Sequence, residues 1–156
     1  MLLTLLLLGA CERTTRDTDI KLVSVAEVRQ LIDQRARGKP DLVILIDPRP
    51  KKYYEQARLP GARHLTLADV QPRATVDPSI SRYDNIIVYG DDPASASARG
   101  MTKRLMAVGY RGVRLFAGGM KEWTTRGFAT EGTGVPPESN SAEPQEDEAA
   151  QHGEQN

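Results

Sequence analysis

The sequence predicts an α/β layer fold on a mainly parallel sheet, and three features carry that expectation. Leu42-Val43-Ile44-Leu45-Ile46 and Asn85-Ile86-Ile87-Val88-Tyr89 are almost unbroken apolar runs, the pattern of strands covered on both faces. Around them apolar residues recur at helical spacing, as at Val28, Leu31 and Ile32. Glycine and proline punctuate the junctions at Gly38-Lys39-Pro40, Leu59-Pro60-Gly61 and Gly118-Gly119. Strands alternating with helices imply parallel pairing with right-handed crossovers.

Each element has a local reason. Ser24-Val25-Ala26-Glu27 fits a capping box at the start of the first helix, and Gly38-Lys39-Pro40 stops it. After the strand at 42–46, Lys51 to Ala57 suits a short helix. Pro60-Gly61 suits a type II turn, with proline presetting φ and glycine accepting positive φ. His64-Leu65-Thr66-Leu67 forms a short extended piece, followed by a proline-punctuated stretch from Gln71 to Ser81. After the strand at 85–89, Asp92-Pro93 reads as an N-cap with proline at the first helical position. The helix it opens turns Met101, Leu105, Met106 and Val108 inward and ends at Gly109. Val113-Arg114-Leu115-Phe116 is a third clear strand, and Gly118-Gly119 turns the chain into a short helix carrying Trp123. Tyr53, Tyr54 and Trp123 are expected to pack rather than to form a ligand platform. Ligands of such folds lie beyond the carboxyl ends of the strands, here Asp47, Gly90 and Gly118.

Composition bounds the function. Lys plus Arg and Asp plus Glu number 21 each, so the formal charge is zero. The distribution is uneven: every basic residue lies between Arg13 and Arg126, and residues 131–156 hold seven acids and no base. Residues 12–130 therefore carry +7 and residues 131–156 carry −7. That tail has Val135 as its only branched aliphatic residue and no aromatic, too little apolar surface to offset chain entropy. It is expected to be a disordered, solubilising tail. The basic residues of the domain are scattered and few aromatics interleave with them, which argues against nucleic acid as a partner.

The only cysteine, Cys11, follows an uncharged run, Met1 to Ala10. Leu8-Gly9-Ala10-Cys11 resembles the lipobox of bacterial lipoproteins, in which the cysteine is acylated and becomes the new N-terminus. Narrow side chains beside the cut bond suit the peptidase, although a basic residue ahead of the run is missing. The run is shorter than the roughly 20 residues a membrane-spanning helix requires. The alternative is a buried N-terminal segment with a chance cysteine. The resemblance implies a signal peptide over 1–10, a tether over 11–20, and a periplasm-facing domain held to the envelope by lipid. Glu12, where an Asp would retain a lipoprotein at the inner membrane, points to the outer membrane.

Four blocks of the remaining chain resemble a rhodanese-like, sulfurtransferase-type domain spanning about residues 20–129. They are Leu45-Ile46-Asp47-Pro48-Arg49, Leu59-Pro60-Gly61-Ala62-Arg63-His64, Ile86-Ile87-Val88-Tyr89-Gly90, and Gly109-Tyr110-Arg111-Gly112-Val113 through Gly118-Gly119-Met120-Lys121-Glu122-Trp123. Each block alone is weak; four in order are strong. The resemblance implies a single domain over 21–130, with a five-stranded parallel sheet and helices on both faces.

In active members of that family a cysteine follows the aliphatic strand, and its loop stabilises a thiolate that carries sulfur as a persulfide. This chain has Gly90 at that place, so no catalytic residue is expected there. Gly90, Asp91, Asp92, Ala94, Ser95, Ala96 and Ser97 form the candidate pocket loop. Asp91 and Asp92 put negative charge where an anionic sulfur donor would approach, and Ala57-Arg58 replaces the family's Gly-His pair. Asp47 and Arg49 are candidates for bracing the loops; for Asp47 a lone surface carboxylate is the alternative. A Ser95–His64 nucleophile pair is formally possible, but both Ser95 and Ser97 are better explained as first-turn helix residues. Asp91, Asp92 and His64 suggest a cap and a solvated turn more than a metal site. The expected role is binding or scaffolding, with no metal or cofactor and an envelope protein or small ligand as partner; an enzyme of another chemistry using loop 90–97 is the alternative.

Overall fold

A computed structural model describes residues 15–134. Cys11, the run before it and the tail beyond Gly134 lie outside the described residues. Ten elements follow one another: a 3-10 turn (Asp17–Asp19), α1 (Val25–Ala36), β1 (Val43–Asp47), α2 (Lys51–Gln56), β2 (Arg63–His64), α3 (Pro78–Ser81), β3 (Asn85–Tyr89), α4 (Ala96–Val108), β4 (Val113–Phe116) and α5 (Gly119–Thr125).

The strands form one all-parallel sheet in the order β2-β1-β3-β4. It has four strands rather than the expected five. A fifth segment, Lys21–Val23, runs beside β4 but pairs only through Leu22 opposite Leu115. Two hydrogen bonds hold it, Leu115 N–H to Lys21 O and Val23 N–H to Leu115 O. Polar Lys21 and Ser24 flank a short apolar stretch, too little to extend a ladder along the edge.

Side chains alternate across the sheet, as a period of two dictates. Val43, Leu45, Ile87, Tyr89 and Phe116 face one core with Val28, Leu31 and Ile32 of α1 and Met120 and Trp123 of α5. Ile44, Ile46, Ile86, Val88 and Leu115 face the other with Met101 and Leu105 of α4 and Ile80 of α3. Both faces are therefore covered by helices, which explains the unbroken apolar runs.

Local chemistry accounts for most boundaries. Ser24 caps α1 by accepting the Glu27 N–H. The Glu27 carboxylate, expected to complete the box, pairs instead with Arg114 of β4. The Leu59–Ala62 turn closes with Ala62 N–H on Leu59 O and Gly61 at φ 65°, the type II geometry. Gly109, at φ 107°, ends α4. On that helix Ala98, Met101, Thr102 and Leu105 are buried, while Met106 and Val108 are only partly covered.

Two expectations at the ends differ from what the described residues show. Residues 15–19, assigned to a tether, pack on α4: Thr15 donates to Lys103 O, and Asp17 pairs with Lys103 at 2.6 Å. Residues 131–134, assigned to the tail, lie along 55–58. Arg58 and Glu131 exchange backbone bonds at 2.8 and 3.0 Å, and Thr133 and Gly134 donate to Glu55 O and Gln56 O. Arg58 and Glu131 also form an ion pair at 3.5 Å. Composition misses these contacts because they rest on backbone groups, which any residue carries.

Candidate loop site at the carboxyl ends of the strands

Three strand ends converge here: Asp47 closes β1, Gly90 follows β3 and Gly118 follows β4. Asp47 is fully buried and Arg49 is 4% exposed. The Arg49 guanidinium donates to both Asp47 carboxylate oxygens, with Nη2 at 2.8 Å from Oδ2 and Nε at 2.9 Å from Oδ1. The Arg49 backbone N–H adds a further bond to the same carboxylate at 3.0 Å. The guanidinium then reaches outward, to Ala57 O at 2.6 Å and to Asp91 Oδ1 at 3.0 Å. One buried side chain thus ties the end of β1 to the turn after α2 and to the loop after β3. Burial opposes the Arg49 charge, but the bonds and charges of Asp47 and then Asp91 prevail and hold its pKa above the usual value.

Tyr89 completes this base. Its hydroxyl accepts the Leu59 N–H at 3.2 Å, and the Arg49 guanidinium lies 5.8 Å from its ring centre. Burial, followed by the nearby Asp47 charge, pushes the Tyr89 phenol well above its ordinary pKa. In the sequence Tyr89 reads only as a strand residue; the signal for its role is a phenol at the last position of a buried strand, where the hydroxyl needs a partner.

Above the base, loop 90–97 is held from two sides. Gly90 O accepts from Met120 N–H at 2.9 Å and Asp91 O from Lys121 N–H at 2.8 Å. The free N–H groups at the start of α5 are therefore satisfied by the loop's own carbonyls. This contact requires Gly119. It sits at φ 58°, and a Cβ there would lie 2.5 Å from Gly90 O and 2.8 Å from Asp91 C.

Gly90 itself is required by its neighbours. A Cβ at Gly90 would fall inside van der Waals contact of Ser95 Oγ and Cβ, and 3.1 Å from the Ala98 Cβ. Ser95 fills the space beside the strand end that a side chain at residue 90 would need. Ser95 is the N-cap of α4: its hydroxyl faces the Ala98 N–H at 3.5 Å and shares a 3.2 Å bond with Ser97 Oγ. The expected cap at Asp92 is corrected here. Asp92 instead accepts the Ala94 N–H at 2.8 Å, a turn within the loop, and α4 begins at Ala96. Pro93 therefore belongs to that turn and not to the first helical position.

The remaining candidates are not drawn into one chemical centre. The His64 Nε2 is 2.8 Å from Arg49 O, so that nitrogen carries the proton and donates to the backbone; the ring also stacks on Tyr54 at 4.9 Å. Among the described residues no three His, Cys, Asp or Glu side chains gather as they would around a metal ion. A cavity of about 490 Å³ opens elsewhere, beside Arg63, Asp77 and Tyr110, and no residue of loop 90–97 lines it.

Comparison with known proteins places this geometry. The model of the rhodanese-like domain matches residues 24–126. No curated protein matches the chain. Among solved structures, the BH2092 protein of Bacillus halodurans superposes with a TM-score of 0.62 at 21% identity, covering 78% of this chain and 85% of that one. The rhodanese-like domain of the Alr3790 protein of Anabaena gives 0.56 at 22%, covering 86% and 98%. The thiosulfate sulfurtransferase of Pseudomonas aeruginosa gives 0.57 at 21%, covering 77% of this chain but 21% of that one. At these identities the likeness is one of fold. The parallel sheet, the loop leaving β3 toward α4 and the family match over residues 24–126 together make this chain a member of the rhodanese-like domain family.

Proposed function

We propose that this rhodanese-like domain binds rather than transfers sulfur, and that it does so at a bacterial envelope membrane, anchored through a lipid on Cys11. The observation that carries the first half is the strand end at Gly90. Sulfur transfer of the persulfide kind needs a thiolate on the loop to attack the donor and hold the sulfur. Gly90 offers no side chain, and Ser95 occupies the space a cysteine would enter. The chain has no cysteine besides Cys11. An anionic donor would also meet Asp91, whose side chain is largely exposed. The contact surface would be the exposed rim of loop 90–97, held rigid by Arg49 and by α5. The second half rests on Leu8-Gly9-Ala10-Cys11 alone.

An enzyme using Ser95 or Asp92 is the competing assignment. Ser95 spends its hydroxyl on Ser97 and on the start of α4, and His64 spends Nε2 on Arg49 O. Neither arrangement resembles a nucleophile with its base.

The test is transfer of sulfur from thiosulfate to cyanide by the purified protein. The expected rate is that of buffer; turnover above it, lost in Ser95→Ala or Asp92→Asn while the protein stays folded, would overturn the proposal. For the anchor, metabolic labelling with a radioactive fatty acid should mark the wild type and not Cys11→Ala. Equal labelling of the two removes it.

A further inference from the structure

We propose that the cavity beneath residues 65–77 binds a small zwitterion, a free amino acid with one carboxylate and one ammonium group. The cavity measures about 490 Å³, within the roughly 300–1,000 Å³ of small-molecule sites. Its outer wall, from Leu65 to Asp77, contains no helix or strand. Loops beyond about 12 residues without structure of their own are uncommon in compact domains and usually functional. This wall is held to the body by Leu65 N–H on Asp47 O, by the buried Leu65 and Val70 side chains, by the Arg104 guanidinium on Val70 O and by Asp77 N–H on the Tyr110 hydroxyl at 2.9 Å.

Tyr110 is the first of the recognition groups. It is 8% exposed and lines the cavity. Its oxygen accepts from Asp77 N–H, and among the described residues no acceptor takes its own proton. That hydroxyl's remaining donor is available to an acceptor oxygen in the cavity. Arg63, exposed at the rim with its guanidinium on Ser79 Oγ at 3.0 Å, supplies a positive charge and further donors. The two together suit a carboxylate.

Charge of the opposite sign lines the same cavity. Asp69 and Asp77 are held below the usual carboxylate range by hydrogen bonds, from Thr66 and from Ser79 respectively. Each carboxylate retains lone pairs for one more donor. A simple carboxylate would answer Arg63 but bring no positive charge to Asp69 and Asp77. A simple amine would face Arg63 and leave the Tyr110 proton unused. A zwitterion answers both signs, with apolar Leu65, Val70 and Ile80 beneath it. This site shares no lining residue with loop 90–97, so it stands or falls separately from the sulfur-transfer question.

Isothermal titration of the purified full-length protein tests it, with the free L-amino acids as probes. Each ligand that binds is compared with its amine-less acid and its methyl ester. Saturable binding of at least one amino acid is expected, weakened at least tenfold by loss of either charged group. Arg63→Gln and Tyr110→Phe should each weaken it at least tenfold. Because Tyr110→Phe also removes an acceptor for the loop, Arg63→Gln, on an exposed side chain, serves as the variant that leaves the fold untouched; circular dichroism checks both. Absence of binding by every amino acid, binding indifferent to Arg63→Gln, or equal binding of the amine-less acid would overturn the proposal.

Discussion

Loops 90–97 and 65–77 are built in opposite ways. Loop 90–97 is fastened from within: its carbonyls take the first N–H groups of α5, Asp91 takes Arg49, and Ser95 fills the hollow beside Gly90. Loop 65–77 is anchored by Leu65 and Val70 and by single bonds to Asp47, Arg104 and Tyr110, and stands over an open cavity. In the family resemblance the first loop is the one that carries chemistry. Here its polar groups are largely satisfied by the protein itself, whereas the second loop covers a cavity lined by the Tyr110 hydroxyl, which donates to no described residue, and by Arg63, exposed at the rim on Ser79 Oγ. The closed loop offers a rigid rim to a partner's surface, whereas the open loop stands over room for a small molecule.

The sharpest way to break the closed loop is at its base. Asp47→Ala leaves the buried Arg49 charge without its main partner, and should cost about 3–5 kcal/mol in urea unfolding. A loss below about 1 kcal/mol would mean that Arg49 finds water and that the base is not what fixes the loop. Next comes the hollow beside the strand end. Gly90→Cys should destabilise by about 1–3 kcal/mol, because the new side chain collides with Ser95. Adding Ser95→Gly should recover most of that loss. Equal stability of the single and double variants would show that the hollow can be vacated without help.

The same base sets a pH dependence. Tyr89 keeps its proton in the folded state to a higher pH than the ordinary phenol value of 10.0 in the unfolded chain. Above that value the unfolded state loses a proton that the folded state retains, so stability is full below about pH 10 and declines as pH rises further. Tyr89→Phe should shallow that alkaline decline, as measured by denaturant unfolding between neutral and alkaline pH. An unchanged slope would place the loss on other groups. The smallest effect belongs to the strap at 131–134. Glu131→Ala removes a half-exposed ion pair with Arg58 and should cost under about 1 kcal/mol, because the backbone bonds remain. A larger loss would make the strap part of the closed loop's support, through Ala57 and Arg49.

Legibility in the sequence followed the range of the interaction. β1, β3 and β4 were plain because burial on both faces demands consecutive apolar residues. The Pro60-Gly61 turn and the Gly109 stop were plain because φ preferences act within a residue or two. The fifth strand was expected and is a single bridge, since a short segment with polar flanks does not signal how far it pairs. The start of α4 was misplaced because Asp92, Ser95 and Ser97 are all good caps, and Asp92-Pro93 looks the stronger pair by local preference alone. Which hydroxyl caps the helix depends on where Gly90 leaves space.

The sequence alone determined the parallel α/β architecture and the absence of any thiol between Glu12 and Asn156, because both are properties of residues in order. Tertiary structure alone decided that Arg49 joins three separate segments, that Ser95 fills the place beside Gly90, that Gly119 admits the loop against α5, and that Tyr110 faces an open cavity. The physical reason is common to all four. Each depends on atoms of non-neighbouring residues, five apart for Ser95 and Gly90 and much further for the others, meeting within van der Waals or hydrogen-bonding distance, and no periodicity or local propensity encodes that meeting.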